Sequence, residues 1–157
     1  MDADAARSLR RLLDVRPVGA LGTLHRGEPA VSMVPFVLPP DGVRLFIHVS
    51  ALAPHTRDML EHPRVSLLVM AEPGASVAAQ ALPRVALQAD ALTLSRDAPD
   101  HEAARTAYLG RFPDAAQTFE LGDFSLVALQ PVSARLVAGF GSAGALAGEA
   151  LASWLRG

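Results

Sequence analysis

The chain has 157 residues, half of them hydrophobic and 19% charged, with a formal net charge of -2. This size fits one domain that buries roughly 70% of its unfolded surface without a disulfide or metal staple, and the slight acidity argues against nucleic acid, whose binding normally needs a basic patch. With no cysteine, disulfides, thiolate metal sites and a cysteine nucleophile are excluded, and a reducing cytoplasm is the expected setting. Residues 3 to 15 read as an amphipathic helix, with Leu9, Leu12 and Leu13 at helical spacing and Pro17 stopping it. That segment is mixed in charge and lacks an apolar signal core. No apolar run approaches the roughly 20 residues of a membrane span, so no membrane is expected as partner.

Residues 18–24 and 29–38 read as a hairpin turning at Gly27. Pro39-Pro40-Asp41-Gly42 is a turn. Over 43–49, Val43, Leu45, Ile47 and Val49 alternate with Arg44, Phe46 and His48, a strand with two different faces. Ser50 is placed to cap a short helix running to Glu61. Pro63 ends that helix, and 64–71 is a strand. Residues 72–81 read as an exposed loop or hairpin tip, 82–94 as a long strand. A helix follows over 99–110 with Pro99 in its first turn, then a break at Phe112-Pro113-Asp114 and a short helix to Phe119. Residues 123–130 and 133–138 read as two strands divided by Pro131. Gly139-Phe140-Gly141 reads as a turn with a buried aromatic, and 143–155 as a helix of small residues in which Trp154 packs or meets an interface. The fold class is mainly β (α+β): a six- to seven-stranded antiparallel split β-barrel with short flanking helices, one domain over 1–157.

No cofactor-independent catalytic motif is present. There is no G-x-S-x-G, H-E-x-x-H or P-loop pattern, and the lone G-x-G-x-x-G spacing from Gly139 to Gly144 is read as a turn. The histidines at 25, 48, 55, 62 and 101 are scattered, and no metal site is expected. The segment Ser50 to Arg57 has the makings of an anion site: a strand end, a helix start, two hydroxyls, His55 and Arg57. On spacing alone, a helix cap with solvent-facing neighbours is the favoured account of it. Ser32-Met33-Val34-Pro35 is by itself a half-buried strand. Arg84 and Gln88 share one strand face, reaching a ligand across a dimer interface or simply facing water.

Gly22-Thr23-Leu24 with Gly27 and Pro29, Ser32 to Phe36, Ser50 to Thr56, Ser66-Leu67-Leu68, Pro83-Arg84-Val85 and Val137 to Gly141 occur in an order that resembles the pyridoxamine 5'-phosphate oxidase-like FMN-binding split barrels, over about residues 8 to 145. The branch it is most similar to is that of the HugZ-like haem-utilisation proteins. The resemblance implies a homodimer with a small-molecule ligand at its interface and FMN as cofactor. It implies that Ser32, Met33, Val34 and Pro35 line the isoalloxazine, and that Val49, Ser50, His55 and Thr56 meet the ribityl chain and phosphate. Arg84 and Gln88 would then reach the partner's flavin. Ser32 stands where pyridoxamine-phosphate oxidases carry arginine, so a vitamin B6 phosphate is not the expected substrate. The reading is an FMN-dependent oxidoreductase of unnamed substrate, with no catalytic acid or base identified. The alternatives are a haem-binding or haem-degrading protein, with haem as ligand, or a barrel that has lost its flavin.

Overall fold

In the computed structural model, which describes residues 1–74 and 77–157, the chain forms seven strands and five α-helices. Helix α1 (Ala3–Val15) starts where the Asp2 side chain accepts the Ala5 N–H at 2.7 Å, the usual N-cap arrangement. Strands β1 (Val18–His25) and β2 (Glu28–Pro35) form a hairpin whose two loop residues, Arg26 and Gly27, both have left-handed backbone, φ 53° and 83°. A tight turn of that hand matches strand twist, and glycine supplies half of it without strain. Strand β3 (Leu45–Ser50) leads to helix α2 (Pro54–Glu61), and β4 (Arg64–Met70) and β5 (Arg84–Thr93) follow. Helices α3 (His101–Arg111) and α4 (Ala116–Phe119) precede β6 (Phe124–Gly139), β7 (Ser142–Ala147) and α5 (Gly148–Arg156).

The strands pair in the order β2-β1-β4-β5-β6-β3, all antiparallel, with β7 added on β6. The ends of that series approach through the Val37–Phe46 bridge, so the sheet curls into a split barrel. Leu21, Leu67, Leu87 and Ala134 form one cross-strand row on its inner face, all buried. Leu9 and Leu13 of α1 and Leu151 and Leu155 of α5 join the same core. Trp154 is a packing residue there, its Nε1–H donating to the Ala6 carbonyl at 2.9 Å. A second, smaller core lies on the opposite side of the β3–β6 pair, where Phe46, Leu126 and Ala128 meet Ala104 and Tyr108 of α3. The two faces expected of the 43–49 strand are therefore both covered, each by a different core.

The structure departs from the sequence reading in several places. Ser50 does not cap α2: Ala53 holds the cap position without a side-chain bond, and Pro54 opens the helix. Proline suits that place because its missing N–H would have had no partner. Pro131 does not divide a strand, because β6 runs through it and absorbs it at a register shift against Gln88 and Ala89, as bulges permit. Residues 142–147 are strand β7 rather than helix, and α5 begins only at Gly148. Alanine-rich sequence favours helix by a few tenths of a kcal/mol per residue, about the size of the preferences that pairing with β6 overrides. Helix α3 begins at His101, two residues beyond Pro99. Phe140 is at a turn as expected but is 86% exposed, not buried. The loop expected over 72–81 includes a short 3-10 turn at Ala79–Ala81, and its residues 75 and 76 lie outside the described residues.

Candidate functional site

The outer face of the β2-β1-β4-β5 half is uncovered. Along it Met33, Ala20, Leu68, Ala86 and Arg135 form one cross-strand row. Val31, Gly22, Ser66, Gln88 and Ser133 form the next, and Met70, Arg84 and Val137 a third. Val31 and Met33 are 75% and 67% exposed, large apolar side chains for which solvent is a poor neighbour. Val18, Ala20, Val31, Met33, Leu68 and Met70 line a shallow hollow of about 310 Å³ on this face, with Arg16 and Ser32 at its edge. Arg84 is steadied by donating to the carbonyls of Gln80 at 3.3 Å and Leu82 at 2.9 Å. Arg135 makes no ion pair among the described residues. None of the five histidines belongs to these rows.

Of the ten residues singled out from sequence, Met33, Pro35, Arg84 and Gln88 thus project from one face. Ser32 and Val34 occupy the alternate positions of β2, with Val34 in the core together with Val49. Those two valines can offer a ligand only backbone atoms. Strand β2 pairs along its ladder with β1 alone, which leaves its other edge open.

Ser50, His55 and Thr56 do come together, at the β3–α2 turn, but the polar groups of Ser50 and Thr56 are already engaged. Ser50 Oγ–H donates to the Asp123 carboxylate at 2.9 Å and accepts the Leu52 N–H at 3.1 Å. Thr56 Oγ1–H donates to the Ser50 carbonyl at 2.6 Å, and the Thr56 N–H bonds to the Ala53 carbonyl at 3.1 Å. Desolvation pushes the His55 pKa below its ordinary value, only partly countered by Asp58. A phosphate dianion needs free donors and positive charge. Besides the exposed Arg57, this turn offers an imidazole whose charged form is disfavoured and the Asp123 carboxylate, a poor fit for the phosphate of FMN.

Two arrangements escaped the sequence reading. Asp58 on α2 is buried and accepts Thr23 Oγ1–H at 2.9 Å and His25 Nδ1–H at 2.7 Å. Burial pushes its carboxyl up, but these bonds and the nearby imidazoles outweigh that and hold it below the ordinary carboxylate value. The network ties α2 to β1. The second is a hollow of about 310 Å³ under α3 and α4, where His48 stacks on Phe119 at 3.8 Å between ring centres and 7° between planes. Burial, with a smaller contribution from His101, lowers its pKa to about 4. Arg96, Glu102, Arg105 and Glu120 line the same hollow and balance in charge. Both were hidden because each joins residues distant in sequence.

A family model described as pyridoxamine 5'-phosphate oxidase matches residues 6–138. The chain belongs to the pyridoxamine 5'-phosphate oxidase family. Its relatives place it with the HugZ-like branch of that family. It is 35% identical over 144 residues to the chloroplastic non-canonical haem oxygenase HOZ of Arabidopsis thaliana, covering 90% of this chain and 42% of that protein. It is 30% identical to the haem oxygenase HutZ of Vibrio cholerae, covering 96% of this chain and 82% of the relative. The structure of a haem-binding protein from Mycobacterium smegmatis superposes with a TM-score of 0.84 at 31% identity, over 98% of this chain and 62% of that one. The chain therefore spans less than half of the Arabidopsis relative. Among the described residues no helix of this family member is long and apolar enough to cross a membrane.

Proposed function

We propose that this family member binds haem, against the uncovered outer face of its sheet and within a homodimer. The observation that carries the reading is that face. A porphyrin is flat and apolar with two carboxylates at one edge. The face gives it the small residues Ala20, Gly22, Ser66 and Ala86, over which a flat ring lies close, Val31, Met33 and Met70 as apolar walls, and Arg84 and Arg135 as partners for carboxylates. Three similar proteins are named for haem, which supports the same ligand. An FMN-dependent oxidoreductase has no comparable support, because the β3–α2 turn is a poor fit for the phosphate. Bound haem would supply iron-centred redox chemistry. The residues of this chain bind the porphyrin, orient its carboxylates and exclude water. With no histidine on the face, the walls and arginines carry the binding of the ring itself. A second copy is the natural cover for the remaining apolar area, and a pair of this kind buries about 2,000 Å² or more.

The test is a haemin titration of the purified protein, followed by absorbance and by light scattering. A saturable Soret band on a protein of dimer mass is the expected result. A monomer with no saturable haem spectrum, or one whose only saturable ligand is flavin, overturns the reading. Product analysis with a reductant and dioxygen then shows whether the bound haem is cleaved.

A further inference from the structure

Sheet register brings residue 123 against the β3–α2 turn. Ser50 pairs with Phe124 at the end of the β3–β6 ladder, so the residue just before β6 lies beside the residue that ends β3. That residue is Asp123. Its carboxylate accepts Ser50 Oγ–H at 2.9 Å, and its carbonyl accepts the Ala51 N–H at 2.6 Å. One residue thus uses a hydroxyl and an N–H that an incoming anion would need. Nearby donors are few. Pro54, first residue of α2, has no N–H, and the N–H and hydroxyl of Thr56 are both spent within the turn. Desolvation disfavours the charged form of His55, which leaves the exposed Arg57 as the one cation of the turn.

We infer that Asp123 acts as an internal anion that bars a phosphate monoester from the β3–α2 turn, and so selects against phosphorylated ligands such as FMN. The inference is independent of the haem reading, since Asp123 lies on none of the outer-face rows. It has a simple electrostatic basis. A phosphate dianion at this turn would meet a carboxylate and displace it from a satisfied hydrogen bond, and like charges at close range disfavour binding most where water is partly excluded.

The experiment compares FMN with riboflavin, which differ only in the phosphate, by flavin fluorescence quenching. It uses the full chain and its Asp123→Asn and Asp123→Ala variants, with circular dichroism to confirm folding. Broadening of the phosphorus resonance of inorganic phosphate serves as a flavin-free probe. The unmodified protein is expected to treat the two flavins alike within about twofold and to leave the phosphate resonance sharp. Each variant is expected to gain at least about tenfold in preference for FMN, or saturable phosphate broadening at millimolar concentration, more strongly at low salt. An unmodified protein that already prefers FMN by tenfold overturns the inference, as does a folded variant with neither gain. If Asp123→Ala unfolds, Asp123→Asn keeps the hydrogen-bond geometry without the charge, and the result on the unmodified chain still decides.

Discussion

The outer surface of this sheet has two halves that solve one problem differently. On the β3–β6 half, Phe46, Leu126 and Ala128 are sealed by Ala104 and Tyr108 of α3, with Phe119 of α4 at the margin. On the β2-β1-β4-β5 half, Val31 and Met33 stand open, and among the described residues no helix crosses them. Apolar side chains project from both halves, so hydrophobicity by itself does not separate structure from function. What separates them is whether the chain supplies the cover. The residues between β5 and β6 cover one half, and the other half has no cover among the described residues.

Three measurements break or sharpen that contrast. Tyr108→Ala on the sealed half has the largest expected effect, about 3–5 kcal/mol of stability, because it removes a buried ring. Urea unfolding measures it, and a loss under about 1 kcal/mol would show that α3 is not a true cover. Met33→Asp on the open half is expected to leave the protomer folded. In the proposed dimer it is expected to raise the dissociation constant at least about 100-fold, roughly 2.7 kcal/mol, and to weaken the proposed haem binding with it. Sedimentation that finds an intact dimer with unchanged haem affinity would remove this face from both roles. The smallest effect concerns pH. His48 in the folded chain has a pKa of about 4, below its ordinary 6.5. Between those values the unfolded chain takes up a proton that the folded chain refuses, so stability is complete above pH 6.5 and declines as pH falls toward 4. His48→Gln should flatten that decline by less than one proton's worth, because the ring is only half-buried. Parallel urea midpoints for both proteins between pH 7 and 5 would count against it.

Much of the fold is legible in sequence where a local rule governs it. The Arg26-Gly27 turn needs left-handed backbone, and the alternation over 43–49 announces a strand with two different faces. Met33 and Pro35, like Arg84 and Gln88, share a face by simple two-residue periodicity. The misreadings occur where distant pairing overrides local preference. Residues 142–147 look helical until β6 claims them, Pro131 looks like a break until a bulge absorbs it, and Ser50 looks like a helix cap until Asp123 is known to lie beside it. The open face itself left a trace, small residues alternating at Ala20, Gly22, Ser66 and Ala86. That trace becomes a surface only once β1, β4 and β5 are known to be neighbours.

Strand β6 also sets a schedule for synthesis. The ladder partner of β3 is β6, through Phe124 to Leu129, and β6 is also what joins β3 to the rest of the sheet. While the ribosome is still making the residues before Phe124, β1, β2, β4 and β5 can already pair, but Leu45 to Ser50 wait with an open backbone edge and apolar side chains. Exposed strands of this kind attract other chains, and closure over so long a sequence separation is slow. The nascent protein therefore passes through an interval in which this apolar strand has no partner, and a chain released before Phe124 would remain in it.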